Sequence, residues 1–135
     1  MSTRLLLFVS LTALALANPT HRSLPSGNVE CGSNTYTVSE VSAAVSAGVA
    51  HINDPLGSDS YPHAYYDEAS EDIKLYCSGS SWYEYPIMAG GKAYTGGDPE
   101  TDRVVFNTQG TYCAVVTHTG AASYDGFVSC QVVEP

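Results

Sequence analysis

Four cysteines, Cys31, Cys77, Cys113 and Cys130, constrain this chain more than any other feature, because of what precedes them. Residues 1–17 read as a secretory signal peptide. Arg4 supplies the positive start, Leu5 to Leu16 is almost wholly apolar, and Ala15-Leu16-Ala17 is a small-x-small cleavage site. The apolar run is too short to span a bilayer, and no later segment is apolar enough to cross one. An even number of cysteines in a small secreted chain implies a disulfide framework rather than free thiols. Spacing alone allows three pairings of the four. Cys31 opens the folded region and Cys130 closes it, so a bridge between them would tie the ends and leave Cys77 to Cys113. A zinc site is the competing use, but the chain has no Cys-x-x-Cys pair.

Removal of residues 1–17 leaves enough chain for one compact domain. Residues 18–29 carry Pro, Ser, Gly, Thr and Asn without periodicity and read as an N-terminal arm or short pro-segment, ahead of a single domain over 30–135. One helix is predicted, over Tyr36 to Ile52. Thr37 and Glu40 fit a capping box, with Tyr36 and Val41 at the hydrophobic staple positions. Val41, Ala44, Val45, Val49 and Ile52 recur at helical steps and make one apolar stripe. Asn53-Asp54-Pro55 stops the helix, and His51 near its end suits the negative pole of the helix dipole. Strands are expected over Ile73 to Cys77, Trp82 to Met88, Arg103 to Asn107, Tyr112 to Thr119 and Phe127 to Val133, all rich in aromatic and β-branched residues. The fold class is therefore α+β: one long helix packed on a central antiparallel sheet, stapled by disulfides.

Three polar residues interrupt strands that otherwise read as core: Glu84, Arg103 and His118. A central strand rarely carries an unpartnered charge, so a face shared by these groups is a candidate site. The bland account is a Glu84–Arg103 salt bridge with satisfied histidines. A second concentration lies at Ser60 to Ile73. Tyr61 and His63 flank Pro62, and positions two apart on an extended chain share a face. Tyr65 and Tyr66 follow, then Asp67, Glu68, Glu71 and Asp72. Flat rings beside hydrogen-bond acceptors suit a planar ligand with N–H groups, such as a nucleobase. The bland account here is an acidic surface loop; the carboxylates lack the spacing of a calcium-binding EF-hand.

The order of these motifs resembles the secreted fungal ribonucleases of the ribonuclease T-one family. The matching segments are Tyr61-Pro62-His63, Tyr83-Glu84-Tyr85-Pro86-Ile87, Asp102-Arg103-Val104-Val105, Thr117-His118-Thr119-Gly120-Ala121 and the closing Phe127-x-x-Cys130. The run Tyr65 to Ile73 is most similar to the purine-preferring ribonuclease U-two type; guanine-specific members carry Tyr-Asn-Asn-Tyr-Glu there. The resemblance implies a microbial ribonuclease fold, a cis bond at Tyr61-Pro62, and the pairs Cys31–Cys130 and Cys77–Cys113. Both partners of a third bridge found in the U-two pattern are missing.

It also implies a secreted, monomeric endoribonuclease that cleaves single-stranded RNA on the 3′ side of purines, adenine at least as well as guanine. A guanine-specific enzyme is the alternative, and a non-catalytic binding protein on the same fold is a more distant one. Tyr61, His63, Glu84, Arg103 and His118 are then catalytic. Tyr65, Tyr66, Asp67, Glu68, Glu71, Asp125 and Phe127 bind substrate. Glu84, assisted by His63, takes the proton of the ribose 2′-hydroxyl, and His118 protonates the leaving 5′-oxygen. Arg103 and Tyr61 face the phosphoryl oxygens. The product is a 2′,3′-cyclic phosphate. The nucleophile belongs to the substrate, so no metal or cofactor is needed, and no membrane or obligate protein partner is expected. On the sequence alone, Glu84, Arg103 and His118 should share the sheet face away from the helix, with Tyr83, Tyr85, Val104 and Phe106 on the helix side.

Charge limits how such a protein holds RNA. Of five Lys and Arg in the chain, Arg4 lies in the leader, leaving four against fourteen Asp and Glu. Non-specific nucleic-acid affinity comes from Lys and Arg neutralising phosphates. Binding must rest on one stacked base and one phosphate.

Overall fold

A computed structural model describes residues 24–134. The leader and the first half of the arm, residues 18–23, lie outside the described residues. Eight strands and one α-helix follow in the order β1 (Asn28–Cys31), β2 (Asn34–Tyr36), α1 (Val38–Ala50), β3 (His63–Tyr65), β4 (Trp82–Pro86), β5 (Asp102–Asn107), β6 (Tyr112–Thr117), β7 (Val128–Ser129) and β8 (Gln131–Val133). They form two antiparallel sheets. The small one runs β2-β1-β8 and the large one β3-β4-β5-β6-β7. No helix among the described residues is long and apolar enough to cross a membrane.

Helix α1 starts where its cap dictates. Thr37 accepts from the Glu40 N–H at 3.1 Å, and Glu40 Oε1 accepts from the Thr37 N–H at 2.9 Å. It ends at Ala50, two residues short of the predicted Ile52, with His51 as C-cap. The buried stripe is Val41, Val45 and Gly48. Val49, expected on the stripe, is exposed, because the helix meets the sheet through the missing side chain of Gly48. A Cβ there would lie 2.6 Å from the Phe106 ring and 3.1 Å from Cβ of Tyr85.

The large sheet divides its side chains by pleat. Tyr85, Val104, Phe106 and Val115 join the core under α1, with Tyr83 packed against it. Val105, Ala114 and Val116 point the other way, into a second cluster with Tyr65, Ile73 and Phe127. Between β5 and β6 the register shifts: Val105 faces Ala114 but Phe106 faces Tyr112. Cys113 is the extra residue, and it lands in the second cluster beside Cys77. A bulge that re-aims one side chain thus makes the Cys77–Cys113 bridge reachable. The other bridge is Cys31–Cys130, so both expected pairs form.

Three strand expectations need correction. Ile73 to Cys77 is not a strand; Ile73 and Leu75 fill the second cluster, and the Tyr76 N–H donates to the Cys113 carbonyl at 2.8 Å without a continuing ladder. The closing segment is split at Cys130, so β7 pairs with β6 while β8 crosses to β1. Strand β1 begins at Asn28, inside the stretch read as an arm; it pairs with the neighbouring β2 on one side and, on the other, with β8 at the far end of the chain, a contact that leaves no local signal.

Candidate active site

Strands β3, β4 and β5 lie side by side, and their register sets the site. His63 faces Glu84, and Glu84 faces Val105. Alternation puts Arg103 on the same face as Val105, two residues before it. His118 lies one residue past β6, its N–H donating to the Thr101 carbonyl at 2.9 Å. Glu84 and Arg103 are buried, away from α1, as the alternation of the strands predicts.

Glu84 Oε1 is the hub. It lies 3.5 Å from His63 Nε2 and 3.5 Å from Arg103 Nε. His63 Nδ1 sits 2.8 Å from the Asp59 carbonyl, which can only accept, so Nδ1 carries a proton. Nε2 faces the carboxylate. Glu84 is the main reason the His63 pKa lies above its ordinary value, with burial working against the rise. Such an imidazole and carboxylate can share and pass a proton.

Arg103 is held in a carbonyl cage. Its Nη1 donates to the backbone oxygens of Pro99, Glu100 and Asp102 at 2.9 to 3.1 Å. Glu100 adopts φ 56°, the left-handed region a turn of this kind demands. Nη2 donates to the Tyr61 hydroxyl at 3.0 Å, and Nε has no hydrogen-bond partner. The guanidinium also lies over the Tyr61 ring, 5.0 Å from its centre. Tyr61 stacks on His63 at 4.5 Å, as two residues flanking Pro62 should, and the Tyr61-Pro62 bond is cis. Burial pushes the Tyr61 phenol up, partly opposed by Arg103.

His118 is fixed from two sides. Nδ1 lies 2.7 Å from the Gly126 carbonyl, and the Phe127 ring stacks on the imidazole at 4.2 Å and 19°. Nδ1 therefore carries a proton, and Nε2 is the nitrogen free for proton transfer. A cleft of about 660 Å³ opens between His118, Arg103 and Tyr61 on one side and residues 121–125 on another. Beside it, a cavity of about 390 Å³ is lined by Glu68, Glu71, Asp125 and Phe127. The two share Ala122, Ser123 and Asp125, so a phosphate in one and a base in the other would belong to one nucleotide.

Of the expected substrate-binding residues, Glu68, Glu71, Asp125 and Phe127 meet at this cavity. Asp67 is exposed and does not line it, and Tyr66 is 74% exposed. Tyr65 is a correction. It is 2% exposed, its ring lies in the second cluster and tilts against Phe127 at 5.8 Å, and it offers no open stacking face. As the second residue after His63 it shares that residue's face of the sheet, where the apolar cluster claims it. Asp102 escaped the sequence reading. It accepts from Tyr36 at 2.6 Å, Asn34 at 3.0 Å and Thr101 at 3.0 Å, and so ties the small sheet to the residue before Arg103. A charge opening a strand was the available signal.

A model of the ribonuclease family matches residues 24–131. The chain belongs to the ribonuclease T-one family. It is 42% identical over 127 residues to guanyl-specific ribonuclease T1 of Aspergillus oryzae, covering 89% of this chain and 95% of that protein. It is 39% identical over 103 residues to an extracellular guanyl-specific ribonuclease of Gibberella baccata, covering 75% and 93% respectively. Among solved structures, a ribonuclease from Hericium erinaceus superposes with a TM-score of 0.56 at 36% identity, covering 78% of this chain and 99% of that one.

Proposed function

We propose that this ribonuclease is a secreted, monomeric endonuclease that cleaves single-stranded RNA on the 3′ side of purines by transphosphorylation. The observation that carries the reading is the meeting of three groups at Glu84 Oε1: a carboxylate with a histidine and a buried arginine, both at 3.5 Å. Glu84, paired with His63, takes the 2′-hydroxyl proton. The freed oxygen attacks phosphorus, and Nε2 of His118 protonates the departing 5′-oxygen. Charge growing on the phosphoryl oxygens meets Nε and Nη2 of Arg103, the nitrogens not committed to the carbonyl cage. The 2′,3′-cyclic phosphate is released or slowly hydrolysed. Export is supported by the leader-like residues 1–17 and by the extracellular relative.

For the base, the carboxylates of Glu68, Glu71 and Asp125 supply acceptors. Adenine at least as good as guanine is the reading favoured by the loop, which departs from Tyr-Asn-Asn-Tyr-Glu. Adenine needs a donor beside an acceptor, which a carboxylate next to a backbone N–H can supply. Guanine specificity is the second reading, favoured by relatives that are themselves named guanyl-specific. Initial rates on ApC, GpC and UpC at mildly acidic and neutral pH separate them. A GpC rate far above ApC at every pH selects guanine, and appreciable UpC cleavage removes the purine site. On the better purine substrate, His118→Ala should lower kcat by about 10²–10⁴-fold. Glu84→Gln should lower it less, because His63 remains as a base. Wild-type turnover in His118→Ala would overturn the mechanism.

A further inference from the structure

The group that lines the base cavity also holds the backbone that orients His118. Glu71 Oε2 accepts from the Phe127 N–H at 2.8 Å, across 56 residues of sequence. The preceding carbonyl, that of Gly126, receives His118 Nδ1 at 2.7 Å, and the Phe127 ring is the surface on which the imidazole stacks. Both constraints on His118 therefore belong to the 126–127 unit that Glu71 clamps. Gly126 lets the clamp form: a Cβ there would lie 3.1 Å from Glu71 Oε2 and 2.8 Å from Ser123 Oγ. The other oxygen, Oε1, is buried and has no partner.

We propose that Glu71 is a positioning residue for His118 in addition to facing the base. Its Oε2 fixes the 126–127 backbone, and with it the tautomer and ring plane of the acid, while the buried Oε1 is left without a protein partner at a residue that lines the cavity. The proposal rests on His118 being the general acid. Its consequence is that loss of the carboxylate lowers kcat as well as raising KM, because an acid displaced by about an ångström can lose about 10²-fold in rate.

Glu71→Gln and Glu71→Ala separate the two roles. Glutamine keeps an oxygen for the Phe127 N–H but alters the face shown to the base; alanine removes both. The readouts are the nitrogen-15 shifts of the His118 ring and kcat at saturating concentration of the better purine dinucleotide. Glu71→Gln should keep the wild-type Nδ1–H tautomer. Glu71→Ala should show mixed tautomers and a kcat at least about tenfold below that of Glu71→Gln. Identical His118 shifts and equal kcat in the two variants would overturn the proposal. Should Glu71→Ala not fold, Gly126→Ala keeps the carboxylate in the chain but crowds it off the clamp. It should give the same mixed His118 signals, and unchanged signals would overturn the proposal equally. His118→Ala tells the two readings apart. If it retains activity, the acid assignment fails whatever the shifts show. If it is inactive while the two Glu71 variants coincide, only the clamp fails.

Discussion

His63 carries the most legible chemistry of any single residue here. Its pKa is raised chiefly by the Glu84 carboxylate and lowered in part by burial. Glu84→Gln removes the first influence and leaves burial and the Asp59 carbonyl opposing one another, so the His63 pKa should fall toward its ordinary value. A histidine-resolved NMR titration measures this; an unmoved His63 would mean that Glu84 does not hold its proton. The sign for stability follows. A raised native pKa favours the protonated native state, so this contribution is whole below the unfolded value of about 6.5 and fades as pH rises through the native one. The thermal midpoint should therefore drift downward over that window in the wild type and less in Glu84→Gln. Tyr61 tests a neighbouring contact. Tyr61→Phe deletes the hydroxyl that accepts from Arg103 Nη2 and leaves the ring on His63. Turnover should fall by roughly tenfold, the worth of one hydrogen bond to a charged group, with little change in fold; a wild-type kcat would remove Tyr61 from the machinery.

At the scale of elements, the contact between α1 and the large sheet turns on Gly48. In an exposed helix, Gly→Ala would gain about 1 kcal/mol of propensity. Here the new methyl would meet the Phe106 ring at 2.6 Å, and overpacking a core typically costs about 1–3 kcal/mol. Gly48→Ala should lower the thermal midpoint, and a stabilised variant would mean that the helix can shift off the sheet at little cost. The same glycine shows where sequence reading stops. The capping box at Thr37 and Glu40 is local, and it was legible to the residue. The apolar stripe was drawn through Val49, because periodicity counts side chains and cannot see a close approach made by the lack of one. Glu84, Arg103 and His118 were legible as polar residues in apolar strands, and pleat alternation placed them on one face. Tyr65 was misjudged because an aromatic beside carboxylates looks the same in sequence whether its ring faces ligand or core. The split of the last segment into β7 and β8, and the Glu71 clamp on Phe127, depend on contacts between distant parts of the chain. Local pattern carries no trace of those.

The molecule as a whole is a polyanion that acts on a polyanion. Its net charge is −9, and its described cations are placed apart from one another. Arg103 is caged in the site, Lys74 lies over the Tyr76 ring, and Lys92 lines a pocket beneath α1. Among the described residues no basic track leads along the cleft, so a long RNA should gain little over a dinucleotide. Each phosphate neutralised on a single strand contributes a slope of about −0.7 in log K against log salt. With one such contact, kcat/KM on long single-stranded RNA should fall no more steeply than about that slope, and screening of the protein's own charge, with a Debye length of about 8 Å at physiological salt, flattens it further. Tyr124 offers the means to test this. It is 94% exposed and lines the cleft beside Asp125. Tyr124→Lys places a cation where the chain beyond the scissile phosphate can reach it. It should steepen the salt slope on long RNA by about 0.7 and raise kcat/KM there at low salt, while leaving a dinucleotide, which carries one phosphate, nearly unchanged. A steep slope in the wild type, or equal effects of the lysine on long and short substrates, would mean that RNA is gripped along a surface other than this cleft.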